Sequence, residues 1–261
     1  MLGKYKRPTK EDLTKHFIEK YGDPDTTGWS PRRRYKMGYS LAGDVYEATI
    51  DQLIGSSTRW MDVGGGRSIF PHNELLSERL SKKCLRLVSV DPSQNVHDNP
   101  YCHKAECCVI EDLETDEKFD LITLRMVAEH IENPDDVVEK LKSLMADGGV
   151  VIIYTINKKS PVPIITRITP FEWHYKLKKI FWGGEEKDTF PVQYKMNSKK
   201  ELDSMFLKQR LEQVDFRYLD DVSMTIAMKY LNLLEMVFWK FLSVLRLPYP
   251  ENNILAVYKS P

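Results

Sequence analysis

Through its middle the chain alternates two apolar patterns. Short continuous apolar runs at Arg59–Val63, Leu87–Asp91, Asp120–Leu124 and Val150–Thr155 predict buried strands. Between them, apolar residues at helical spacing predict helices over Asn73–Lys82 and Asp135–Met145. A shorter strand is expected at Cys107–Ile110. Strands alternating with helices imply an α/β fold with a mostly parallel sheet, covered by helices on both faces.

The flanks are patterned differently. Glu11–Tyr21 predicts a helix with Thr9 as its cap, a turn cluster follows from Gly22, and Val45–Ile54 again has helical spacing. The run Arg32-Arg33-Arg34-Tyr35 between them reads first as a solvated basic stretch. Residues 158–196 are rich in proline and aromatic side chains, including Phe171, Trp173, His174 and Tyr194. Ser198–Leu211 then predicts a helix, and Phe216–Leu219 and Asn253–Lys259 two more strands. Met224–Leu247 between those strands is a long apolar helix pattern, with Lys229, Glu235, Lys240 and Arg246 as its charges. Burial against the core or a second subunit is the first expectation for such a helix. Lys229 and Lys240 share a face, so contact with a membrane surface is the alternative. The chain thus divides into an N-terminal helical cap (1–50), a core (51–157), a cover insertion (158–196), and a final core portion with an inserted apolar helix (197–261).

Chemistry concentrates at the carboxyl ends of the first two predicted strands. Asp62-Val63-Gly64-Gly65-Gly66-Arg67-Ser68 is a glycine-rich turn, and Leu87–Val90 ends in Asp91. Glycines let the backbone approach a ligand, a helix N-terminus offers N–H groups to a negative group, and an acid there can accept two ribose hydroxyls. The pattern G-x-G-x-x-G is absent, and so is the lysine-bearing phosphate loop, so a nucleoside ligand of another kind is expected.

Asp62, Gly64 and Gly66, followed by Asp91-Pro92, Phe119–Ile122, Glu129-His130 and Asp147–Ile152, resemble in order and spacing the class I S-adenosylmethionine-dependent methyltransferases, particularly the small-molecule branch called type 11. Ser68 stands where that family has a last glycine, and Asp147 where it usually has proline. The resemblance covers about residues 55 to 157 and implies a Rossmann-like seven-stranded sheet with a helical and aromatic cover. It implies S-adenosyl-L-methionine as cofactor, with Asp62 near the methionine amino end and Gly64, Gly65 and Gly66 beneath the ribose and methionine. Asp91 with Pro92 would lie at the ribose, Ile110 or Glu111 at the adenine, and Leu124 and Arg125 beside the methionine. N-terminal segments of the family often fold over the pocket, where an arginine can hold the cofactor carboxylate. His174, in the cover, is the first candidate for a general base, and His130 the second.

Composition narrows the substrate. Lys+Arg and Asp+Glu both total 38, so the net charge is zero and no nucleic-acid partner is expected. No Asn-Pro-Pro-Tyr-like motif follows the fourth strand, where Leu124-Arg125-Met126-Val127 stands. The four cysteines form no secreted disulfide framework, no signal peptide is visible, and no metal is expected, which together suggest a cytoplasmic protein. The expectation is methylation of a small molecule, at oxygen first. A lipid-like or prenylated acceptor at a membrane is second, and a non-catalytic regulator that keeps the fold is third. A homodimer through 224–247 is a further expectation.

Overall fold

In the computed structural model, residues 5–161, 163, 164 and 191–261 are described. Seven strands form one sheet in the order β3-β2-β1-β4-β5-β7-β6. They are β1 (Arg59–Val63), β2 (Arg86–Val90), β3 (Lys104–Glu106), β4 (Phe119–Arg125), β5 (Met145–Ile156), β6 (Glu212–Leu219) and β7 (Asn253–Lys259). β1 to β5 pair in parallel, and β7 runs antiparallel to both β5 and β6. The mostly parallel α/β sheet read from the sequence is present.

Strand alternation sorts the core into two layers. Met61, Val63, Val88, Val90, Ile122 and Leu124 face α5 (Pro134–Leu144) and α6 (Lys199–Lys208). Trp60, Leu87, Leu121, Ile152 and Tyr154 face α3 (Ala42–Leu53) and α4 (Glu74–Lys83). A sheet buried on both faces needs continuous apolar strands, which is why these runs were legible.

Three elements differ from the sequence expectation. β3 precedes the predicted segment: Lys104–Glu106 pairs with β2, and Ile110–Asp112 is a 3₁₀ turn. At the sheet edge β3 has a neighbour on one side only, so it needs no apolar run. α2 (Trp29–Met37) occupies the basic stretch, with Pro31 in its first turn and Gly38 ending it in the left-handed conformation. Arg33 and Arg34 are buried, which corrects the reading of a solvated run.

The inserted helix is α7, Lys229–Val244, after a 3₁₀ turn at Ser223–Thr225. It packs on the protein through few residues: Asn232 and Met236 are buried, and Trp239 meets Tyr39 edge-on with ring centroids 4.8 Å apart. Most of its apolar face is exposed, contrary to the expectation of burial against the core.

α1 (Lys10–Tyr21) opens with the capping box of Thr9 and Asp12. It docks on α3 through a buried ion network, in which Lys20 Nζ lies 2.9 Å from Asp44 Oδ1 and from both carboxylate oxygens of Glu47. Glu47 also accepts from Asn73 at 2.7 Å, and Asn73 caps α4. The N-terminal helices are thereby tied to the loop that follows the glycine turn.

Candidate functional site: the cleft at the carboxyl edge of the sheet

The strand order reverses between β1 and β4, and ligands in open α/β sheets bind outside the carboxyl ends at such a point. A cleft of about 620 Å³ opens there. Its lining includes Gly64, Asp91, Pro92, Ile110, Glu111 and His130.

The glycine turn is set by space as well as by dihedral angle. Gly64 has φ +75°, and a Cβ there would stand 2.1 Å from Val127 Cγ2. At Gly65 a Cβ would meet Ser89 Oγ at 1.9 Å and Asp62 Oδ2 at 2.9 Å. Gly66 N donates to Asp91 Oδ2 at 3.0 Å, and Ser93 N donates to Asp91 Oδ1 at 2.8 Å. Each Asp91 oxygen therefore keeps a further lone pair for a ligand hydroxyl, since a carboxylate accepts at about four positions. The helix N-terminus takes less part than the sequence suggests. α4 begins only at Glu74, and Asn73 Oδ1 already accepts from Leu76 N at 3.2 Å.

Asp62 is buried beneath this turn. Its Oδ1 accepts from Thr123 Oγ1 at 2.7 Å, and Trp60 Nε1 donates to the same hydroxyl at 2.8 Å. Trp60 is a donor only, so the Thr123 proton is directed toward Asp62. Burial pushes the Asp62 carboxyl up to about 7, against the pull of Thr123 and of the Arg125 charge, while Asp91 adds to the rise. Such a group is half-ionised near neutral pH and responds strongly to a cation placed beside it.

Arg125 ends β4, half-buried. Its guanidinium makes no hydrogen bond or ion pair among the described residues, yet its charge reaches Asp62 and Glu129. Met126 follows with φ 53°, a strained turn that carries the chain into the cleft. Glu129 is buried, and its Oε2 accepts from Thr155 Oγ1 at 2.7 Å. Burial raises its carboxyl above the usual range. His130 Nδ1 lies 3.0 Å from Pro191 O. A carbonyl only accepts, so Nδ1 carries the proton and Nε2 is the basic nitrogen of the neutral ring.

The cleft thus gathers Gly64, Asp91, Pro92, Ile110, Glu111 and His130, with Asp62, Gly65 and Gly66 behind its floor. Leu124 is wholly buried in the core, which leaves only its main chain near the cleft. His174, Trp173 and most of the 158–196 segment lie outside the described residues. Arg33 donates to Asn232 Oδ1 and stacks on Trp29, 3.4 Å from the ring centroid. Arg34 donates to Ser30 Oγ at 2.9 Å. Arg33 thus ties α2 to Asn232 of α7, while the Arg34 bond stays within α2. His16, Asp44 and Glu47 lie close enough to suggest a metal, but the Lys20 ammonium occupies the space between the two carboxylates.

Sequence reasoning missed Thr123 and Ser89. Each is a lone polar residue in an otherwise apolar strand run, and that was the available signal. Among the described residues Ser89 Oγ, buried beside Gly65, has no hydrogen-bond partner, and neither has Ser68 Oγ in the turn itself. These orphaned hydroxyls and the close-fitting glycine turn fit a polar ligand such as a nucleoside.

Comparison with known proteins agrees with this geometry. A methyltransferase-domain family model matches residues 33–219. A ubiquinone biosynthesis O-methyltransferase of Coxiella burnetii (strain Dugway 5J108-111) is 26% identical over 160 residues, 58% of this chain. That match spans 66% of the relative, just under two thirds of its length. The protein of that name from Shewanella halifaxensis (strain HAW-EB4) is 25% identical over 194 residues, 70% of this chain and 78% of the relative. An S-adenosylmethionine-dependent methyltransferase structure from Mesorhizobium loti covers 84% of this chain and 98% of its own at TM-score 0.54. At 11% identity that likeness speaks for the fold alone. The chain belongs to the class I S-adenosylmethionine-dependent methyltransferase family.

Proposed function

We propose that this chain transfers the methyl group of S-adenosyl-L-methionine to an oxygen atom of a small molecule. The observation that carries the reading is Asp91, fixed by Gly66 N and Ser93 N at one end of an apolar-walled cleft with lone pairs to spare. In this reading Asp91 accepts the ribose hydroxyls, and Pro92, Ile110 and Glu111 border the adenine. Asp62 lies on the side of the methionine ammonium and Arg125 on the side of its carboxylate, with Gly64, Gly65 and Gly66 beneath and the Leu124 main chain alongside. The names of the relatives supply the preference for oxygen over nitrogen or carbon.

The cofactor brings a methyl group already activated as a sulfonium, so the protein's part is to align the acceptor, exclude water and take up a proton. His130 is the base we favour, because it lines the cleft and Pro191 O fixes its ring through Nδ1. His174, preferred from sequence, remains the alternative, with the 158–196 segment as the acceptor cover. Turnover of a phenolic acceptor with His130→Ala and His174→Ala separates the two. The variant that loses about two to four orders of magnitude in kcat while keeping cofactor affinity identifies the base. Normal rates in both would mean positioning alone suffices.

A further inference from the structure

We propose that the exposed face of α7, together with the neighbouring α2, is a docking surface for an anionic lipid bilayer. This goes beyond the methyltransferase reading and does not depend on it.

The apolar residues of α7 are not scattered. At about 100° per residue, Tyr230, Leu234, Val237, Phe238, Phe241 and Val244 fall within an arc of about 120° along a helix about 24 Å long. The arc points to solvent along its whole length, from Tyr230 at 76% exposure to Val244 at 71%. No helix among the described residues is long and apolar enough to cross a membrane, so such a face would lie in the interface plane.

Charge selects the occupant. Lys229 and Lys240 line one edge of the arc, and both are exposed; Arg246, also exposed, follows the end of the helix. Lys240 Nζ reaches Met37 O at 2.9 Å, and the Lys229 ammonium lies 5.0 Å from the Trp29 ring, so the rim continues onto α2. Of the four basic residues of α2, Lys36 is exposed and Arg32 half-buried, whereas Arg33 and Arg34 are buried; α2 has no acid. The one acid of α7, Glu235, is turned toward Tyr249, whose hydroxyl donates to it at 2.6 Å. The chain as a whole is neutral, yet the exposed charges along the first turns and middle of this strip are cationic. Asp220 and Glu251 come near only at its C-terminal end, beside Ser243 and Leu247. That arrangement complements anionic headgroups above acyl chains. It opposes antiparallel pairing of two copies through this face, in which the lysine edges would run side by side.

Position agrees as well. β6 ends at Leu219 opposite Asn253, where β7 begins, and Asn253 also pairs with Ile156 at the end of β5. α7 therefore rises from the carboxyl edge of the sheet, the edge that holds the cleft. Docking would set the cleft side of the molecule against the bilayer.

Co-sedimentation of the full chain with vesicles tests this, using phosphatidylcholine alone against mixtures of phosphatidylcholine and phosphatidylglycerol. Binding should require the anionic lipid and weaken with salt. Phe238→Glu with Phe241→Glu should lower the partition coefficient by about tenfold or more. Lys229→Glu with Lys240→Glu should weaken it several-fold and flatten the salt dependence. Circular dichroism checks both variants, and the exposed lysine pair decides if the phenylalanine pair fails to fold. Absence of wild-type binding, or equal binding to both vesicle types, overturns the proposal. So does sedimentation that reveals a self-associated protein, dissociated by the phenylalanine variant, with no vesicle binding.

Discussion

Asp62 and Glu47 are both buried carboxyl groups, and their surroundings push them in opposite directions. Among the described residues Asp62 meets one hydroxyl and no direct cation, so burial dominates and its carboxyl rises to about 7. Its contribution to stability is complete below the ordinary carboxylate range and is lost as pH rises through about 7. Asp62→Asn should therefore raise the Tm of the cofactor-free protein more at pH 8 than at pH 5. The same variant should weaken S-adenosylmethionine binding, and native affinity should strengthen between about pH 6 and 8 as Asp62 ionises. Calorimetric titration across that range checks this, and a flat native profile counts against Asp62 at the ammonium. Glu47 touches the Lys20 ammonium, His16 and Asn73, which outweigh burial and hold it down at about 2. Its contribution is present above the usual carboxylate range and fades as pH falls toward 2. Residues with a motif around them, such as Asp62 and Asp91, were legible in the sequence. Thr123 was not, because its role depends on Trp60 and Asp62 meeting it across neighbouring strands.

At the scale of elements, the glycine turn and the α1–α3 junction are the two places where one substitution should matter most. Gly64→Ala has to fit a side chain at φ +75° and within 2.1 Å of Val127 Cγ2, so the Val127 side chain or the turn must shift. Loss of cofactor affinity with a lowered Tm is the expected outcome, and an unchanged titration would contradict the geometry. Lys20→Met would strand two carboxylates that are almost fully buried. Breaking a buried pair from one side costs about 3–5 kcal/mol, readable by urea denaturation. Strands β1, β2, β4 and β5 and helices α4 and α5 could be read from pattern because burial on two faces demands it. α2 could not, since its basic residues mask a helix whose signals are Pro31 and Gly38. For α7 the apolar pattern was visible but its direction was not, because a helix wheel does not say which side meets the protein.

Across the whole molecule, the sheet order puts the glycine turn, Asp91, the end of β4 and the root of α7 along one edge. The fold class was open to sequence reasoning because five ordered motifs fix strand direction and spacing. The acceptor end was not, since methyl transfer asks for position more than for a particular side chain. The central claim is that the cleft holds S-adenosylmethionine through Asp91. It is tested most directly by isothermal titration of the full chain with S-adenosylhomocysteine, native against Asp91→Ala. Loss of two charge-assisted hydrogen bonds predicts affinity lower by about a hundredfold or more, with circular dichroism unchanged. Equal affinity in a folded Asp91→Ala protein would contradict the account.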